Sequence, residues 1–269
     1  MEETILRQLQ QTELTILLNF DEYCKKHNLK YYLVGGALLG ATRYKGFIPW
    51  DDDIDVAMPR EDYEKIKELW KKDVIKGCFL QNSETDPDFA RCIQKIRKDG
   101  TEIIEKVSQN VKMHNGIYID IFPIDFVTTD SEDIIGKVAI KIRRLMSLRA
   151  IRSGYGSGSK AILKKIVRLM TFFISCKSID KKIDSLCTKE NRLNTQYAVL
   201  YLHNYDWKKQ IHEEYVFGEG GYCEFEGYKF SSPNDTDAFL KKVFGDEYMK
   251  EPPEEKRTNP HNYISVKFC

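Results

Sequence analysis

Residues 50–56 hold four aspartates, Asp51, Asp52, Asp53 and Asp55. Residues two apart on a strand face the same side. Asp53 and Asp55 therefore project together, at a spacing that suits a hard divalent cation with oxygen ligands. Carboxylates this close raise one another's pKa unless a cation compensates. The flanking Ile48, Pro49, Trp50, Ile54 and Val56 are too apolar for a solvated acidic face. About fifteen residues upstream, Gly35 and Gly36 close a short apolar strand. Glycine lets backbone N–H groups approach a phosphate closely. A phosphate cradle beside a carboxylate metal site points to phosphoryl transfer, with Mg²⁺ or Mn²⁺ as the cation.

A third carboxylate stands in Gly116-Ile117-Tyr118-Ile119-Asp120-Ile121-Phe122-Pro123-Ile124-Asp125, which reads as a buried strand. An unpartnered Asp120 there would be costly. Its expected role is to complete the metal site or to act as general base. Asp125 follows Pro123, read as the end of the strand, and is assigned to a turn. Phosphate charge also needs cations besides the metal. Arg43 follows the glycine helix, and Lys95 and Arg97 alternate on one strand face. Arg257 and His261 are expected to fold back over the cleft. His27, His114, His203 and His212 form no constellation and are read as structural or exposed.

Gly35-Gly36, the run Arg43-Tyr44-Lys45-Gly46-Phe47-Ile48-Pro49-Trp50-Asp51-Asp52-Asp53-Ile54-Asp55, and Ile119-Asp120-Ile121-Phe122-Pro123 resemble the LicD family of phosphocholine transferases and their fukutin-type relatives. The likeness is dense from about residue 14 to 125. It resumes in Phe244-Gly245-Asp246-Glu247-Tyr248-Met249 and Pro252-Pro253-Glu254-Glu255-Lys256-Arg257. One departure is Tyr44, where many members carry His. The resemblance implies a nucleotidyltransferase-like fold, a divalent metal and a CDP-choline donor whose phosphocholine moves to a sugar hydroxyl of a glycan or teichoic acid precursor, releasing CMP. Catalysis and metal binding then fall to Asp53, Asp55 and Asp120, and donor binding to Gly35, Gly36, Arg43, Lys95, Arg97 and Trp50. A quaternary ammonium needs aromatic faces, for which Trp50, Tyr118, Tyr155 and Trp207 are available. The alternatives are a nucleotidyltransferase, a CDP-ribitol-dependent phosphoribitol transferase, and a non-catalytic glycan- or membrane-binding module.

The chain of 269 residues is long enough to bury a sizeable core. Met1-Glu2-Glu3 does not begin an export leader, and no apolar run reaches membrane-span length. Seven scattered cysteines give no Cys-x-x-Cys pair for zinc and read as reduced thiols. The expected location is cytoplasmic, peripheral on the inner face of the membrane. The net charge of +1 hides an asymmetry. Residues 137–182 carry thirteen Lys or Arg against one acid, Asp180, for +12; the other 29 basic and 40 acidic residues sum to −11. Lys160, Lys164, Arg168, Thr171 and Ser175 form a polar stripe opposite an apolar one, which suits either an anionic membrane surface or a core helix with a basic edge. Nucleic acid is not expected, because the rest of the chain is acidic and carries no recognition motif.

The elements that must position these residues read as α+β: a nucleotidyltransferase-like mixed sheet with flanking helices and a basic helical insertion. Residues 1–130 form the catalytic core, 131–195 the basic helical segment, and 196–269 the strands and helix that complete the core. Helices are expected over 4–27, 36–43, from Pro59 onward, 131–152, 160–175, 179–193 and 235–244. Strands are expected over 31–34, 54–58, 117–122, 197–202 and 222–230. A hairpin joins 91–97 to 101–105 across Lys98-Asp99-Gly100. The Gly154-Tyr155-Gly156-Ser157-Gly158-Ser159 run reads as a linker.

Overall fold

The computed structural model describes residues 3–156, 161–259, 261 and 263–269. Lys160 of the polar stripe and Ser157, Gly158 and Ser159 of the linker lie outside them. The elements run α1 (Glu3–His27), β1 (Tyr32–Leu33), α2 (Gly35–Tyr44), β2 (Asp55–Pro59), α3 (Arg60–Trp70), β3 (Cys78–Gln81), β4 (Gln94–Lys98), β5 (Glu102–Glu105) and β6 (Tyr118–Val127). They continue with α4 (Glu132–Arg152), α5 (Ala161–Met170), α6 (Cys176–Cys187), β7 (Tyr197–Val199), β8 (Ile211–Glu213), β9 (Gly221–Phe225), β10 (Tyr228–Ser232), α7 (Thr236–Phe244) and β11 (Tyr263–Lys267). The α+β expectation holds.

One mixed sheet carries the site. Its order is β1-β2-β6-β4-β3, with β7 and β8 extending from β6. β2 and β6 run parallel with Asp55 beside Asp120, and β4 runs antiparallel to β6 with Lys95 beside Asp120. Asp55, Asp120 and Lys95 thus stand in one row across three strands, on one face. Gln94 points the other way and donates to the Tyr63 carbonyl at 2.7 Å, which puts α3 on the opposite face. Leu9, Ile16, Leu17 and Phe20 of α1 are at most 1% exposed. Burial of each contributes about 1.5–3 kcal/mol, enough to seat α1 firmly beneath the acidic loop.

The hairpin across residues 98–100 does not form. Gly100 turns the chain at φ +77, but β4 is sandwiched between β3 and β6 while β5 leaves the sheet to pair with β11. A turn residue fixes a reversal, not the partner. β4 is buried on both faces, and that demands a central place.

Pro123 does not end its strand either, because β6 runs on to Val127. The Asp120 N–H donates to the Ile54 carbonyl on the β2 side at 2.9 Å. By alternation, Pro123 directs its missing N–H away from β2. There, pairing with β4 stops at Ile121 and pairing with β7 starts at Asp125, so no ladder bond is lost. Asp125 is consequently no turn residue. It is fully buried, with Arg60 Nε and Nη2 at 2.8 and 2.6 Å and Asn191 Nδ2 at 2.8 Å.

Three boundaries also move. Pro59 ends β2 and caps α3, which begins at Arg60. Ser175, expected inside a helix, is the N-cap of α6: its hydroxyl accepts from the Ser178 N–H at 3.1 Å. The expected strand 222–230 is a hairpin, folded at Glu226 and Gly227 with φ 53 and 80.

The basic segment is stapled to the core. Arg149 of α4 is wholly buried and donates to Asp180, the segment's one acid, at 3.0 and 3.2 Å, and to the Pro87 carbonyl at 2.9 Å.

Gly40 of α2 has no room for a methyl group. A Cβ there would strike the Gly46 carbonyl oxygen and lie 3.0 Å from the Ile48 nitrogen, both backbone atoms. Gly40→Ala is expected to destabilise by about 1–3 kcal/mol, read as a fall in thermal midpoint; an unchanged midpoint would show that the 46–48 loop yields freely.

Candidate active site

The site forms where α2 starts and the loop into β2 returns over it. Val34, the N-cap of α2, offers no side-chain acceptor. The free N–H groups and the helix dipole there favour anions. Gly35 sits at φ +57, and a Cβ on it would come 2.8 Å from Asp55 Oδ2. A Cβ on Gly36 would collide with Asp51 Oδ2. The two glycines therefore let carboxylates rest on the helix terminus.

Asp51, Asp52 and Asp53 each place a ligand oxygen within 4.8 Å of the others. Asp52 is buried, and its Oδ2 has no partner among the described residues. Burial and the charges of Asp52 and Asp55 push the Asp51 carboxyl up to about 7. Burial, then Asp55, Asp51 and Asp52, hold Asp53 well above the carboxylate range. Glu13 of α1 lies beneath the cluster; burial and the same charges push it up too. Gln10, one turn earlier, donates to the Asp51 carbonyl at 2.9 Å. An acidic pocket with an orphaned buried oxygen fits a hard divalent cation. The close-packed trio is Asp51, Asp52 and Asp53, with Asp55 against Gly35 and Asp120 next to it on the sheet.

The candidate cations divide. Lys95 Nζ lies 2.5 Å from Asp120 Oδ1 and 3.2 Å from the centre of the Tyr118 ring. Burial pulls its pKa down to about 8, against the opposing charge of Asp120. Arg97 shares that face but is buried, donating to Gln81 Oε1 and the Gly116 carbonyl, each at 2.5 Å. Arg43 donates to the Tyr248 and Lys250 carbonyls, the latter at 2.7 Å, so it fastens the C-terminal stretch. Arg91 was not singled out from sequence. It is half-buried, and its charge is felt by Tyr118 and Tyr155. On the expected strand 91–97, its spacing of four and six residues to Lys95 and Arg97 was the available signal.

Two histidines complete the surround. His203, read from sequence as isolated, places Nε2 3.4 Å from Asp55 Oδ2 and stacks on Tyr205. His261 does fold back: Nδ1 is 2.8 Å from Asp52 Oδ1, and Nε2 is 4.0 Å from Asp53 Oδ2. Burial opposes the imidazolium, but the bond and charge of Asp52 prevail and raise its pKa. Arg257 lies 5.6 Å from the Trp50 ring centre and pairs with Glu251 at 2.9 Å. Tyr44 donates to Glu251 at 2.8 Å. Among the aromatic candidates, Trp50 lies on this rim and Tyr155 next to Arg91, whereas Lys95 covers one Tyr118 face and Trp207 packs on Gly136 of α4. Of the other histidines, His27 pairs with Asp73, His114 with Asp99, and His212 is buried in the core.

The chain is similar in sequence to known proteins. The family model described as LicD/FKTN/FKRP, nucleotidyltransferase domain, matches residues 28–147. The lipopolysaccharide cholinephosphotransferase LicD of Haemophilus influenzae is 33% identical over 270 residues, covering 97% of this chain and 97% of that protein. The ribitol 5-phosphate transferase FKRP of human and of mouse is 34% identical over 67 residues, covering 23% of this chain and 14% of those proteins.

Proposed function

Since this chain belongs to the LicD family, we propose that it is a phosphotransferase that moves phosphocholine from CDP-choline to a hydroxyl of a cell-surface glycan and releases CMP. The observation that carries this reading is likeness to a cholinephosphotransferase over the whole chain, not only over the acidic motif. Likeness to the ribitol 5-phosphate transferases covers less than a quarter of the chain.

In this reading Asp53 and Asp55, with Asp51 and Asp52 beside them, hold Mg²⁺ or Mn²⁺. When bound, the cation would neutralise charge on the donor diphosphate and on the departing nucleotide. The N–H groups of Gly35 and Gly36, with Lys95 and Arg91, orient the phosphates. Asp120, positioned by Lys95, takes the proton from the acceptor hydroxyl, whose oxygen attacks phosphorus in line. Trp50 offers an aromatic face to the quaternary ammonium. The seven cysteines are free thiols, which suits a reducing compartment, and we place the reaction in the cytoplasm.

Phosphorus NMR of the protein with Mg²⁺, a glycan acceptor and CDP-choline, CDP-ribitol or CTP tests this. Loss of CDP-choline with CMP appearing is the expected result. CMP from CDP-ribitol alone would move the protein to the ribitol branch, and pyrophosphate from CTP would make it a nucleotidyltransferase.

A further inference from the structure

No residue of α5 is buried. Ile162, Leu163, Leu169 and Met170 stand in solvent, and Phe172 and Phe173 in the turn that follows are 76% and 84% exposed. Side chains of this size on a soluble surface mark an interaction site. On a helical wheel Lys164, Lys165 and Arg168 share the opposite side of α5. The neighbouring surface of α4 repeats the pattern: Ile140, Leu148 and Ile151 line a groove edged by Arg143 and Arg144.

From the exposed apolar stripe and its basic border, we propose that α5 and the Phe172-Phe173 turn form an interfacial anchor that docks on an anionic lipid bilayer. Large apolar and aromatic side chains on one side and cations on the other are what a helix lying in the headgroup plane requires. Charge selects the occupant. The segment from 137 to 182 carries +12, so two copies meeting through this face would repel, whereas an anionic headgroup layer attracts it. No helix among the described residues is long and apolar enough to cross a membrane, so this contact lies along the surface.

The anchor is tied to the candidate site. Between α4 and α5, the Gly156 N–H donates to the Val107 carbonyl at 2.6 Å, and Tyr155 lies against Arg91. Docking would therefore bring the Arg91 rim next to the bilayer, where a hydroxyl carried on a lipid could reach it. Membrane binding itself does not depend on the proposed activity, so either can fail alone.

Flotation with vesicles tests it, comparing phosphatidylcholine alone with a 7:3 mixture of phosphatidylcholine and phosphatidylglycerol, in about 0.1 M salt. The wild-type chain is expected to float with the anionic vesicles and far less with the neutral ones. Lys164→Gln, Lys165→Gln and Arg168→Gln together should weaken anionic binding by about 10²-fold. Phe172→Ser with Phe173→Ser should weaken it at least tenfold. All five side chains are exposed or half-exposed, so an unchanged thermal midpoint is expected and is the check that each variant is folded. Wild-type protein that ignores anionic vesicles, or folded variants that bind as wild type does, would overturn the proposal. So would a dimer in sedimentation that the Phe variant dissolves, since that assigns the face to a second copy.

Discussion

Asp53→Asn is expected to cut donor turnover by about 10²–10³-fold and, without divalent cation, to raise the thermal midpoint. The two effects have one cause. Four aspartates share a pocket in which burial and mutual repulsion hold Asp53 well above the carboxylate range and Asp51 at about 7. These groups bind protons more tightly folded than unfolded. Stability from this source is present below the ordinary carboxylate pKa and is lost as pH rises through the folded value. The cation-free midpoint should therefore fall between pH 5 and pH 8. Mg²⁺ should restore most at pH 8 and little at pH 5, and the variant should show a shallower pH slope. Differential scanning fluorimetry across that range, with and without Mg²⁺, reads all of this. A variant that is both inactive and less stable would show the carboxylate to be structural, and a flat wild-type profile would remove the repulsion argument altogether.

Asp125→Ala is expected to cost about 3–5 kcal/mol, the largest stability loss of any single polar change considered. It would strip Arg60, itself 8% exposed, of the carboxylate that meets two of its nitrogens, and strip Asn191 of its acceptor. Glu64 and Asp184 remain at 3.3 and 3.6 Å from Arg60, but both are more exposed. The discriminating control is the double change Arg60→Met with Asp125→Leu. A buried pair replaced whole by apolar groups is often neutral, so urea unfolding should show the double variant recovering much of the loss. If Asp125→Ala alone costs under about 1 kcal/mol, water reaches the pair and its burial is only apparent.

What was legible in the sequence is what is local. α1, α2, α4 and α7 were legible from local signals, but the strand expected to carry both Asp53 and Asp55 begins only at Asp55, so Asp53 sits in the loop before it. Where pairing joins distant segments, local signals misled. Gly100 did make its turn, yet its flanking strands found partners at residues 78–81 and 263–267. Pro123 looked terminal because its cost depends on which side of the strand has a neighbour, and that is decided by where β4 stops and β7 starts. His203 reaches Asp55, and His261 reaches Asp52, across long stretches of chain. No spacing rule within a short window connects either pair: the return of His261 was expected only because it lies in the C-terminal stretch that resembles the family, and His203 carried no such signal. Asp125 was misread for the same reason: its partners, Arg60 and Asn191, lie 65 and 66 residues away.

The parallel register of Asp55 with Asp120 has a kinetic consequence. These strands are separated by 65 positions, and closing so long a loop must precede any reward from the pairing. The acidic pocket is therefore expected to be completed after the rate-limiting barrier of folding, an order that the refolding kinetics below test. A cation that binds only the finished pocket would leave the refolding rate nearly untouched and would act by slowing escape from the native state. In a chevron plot, Mg²⁺ should lower the unfolding limb and leave the folding limb in place, so that the cation serves as a lock on a finished fold and not as a template for making it.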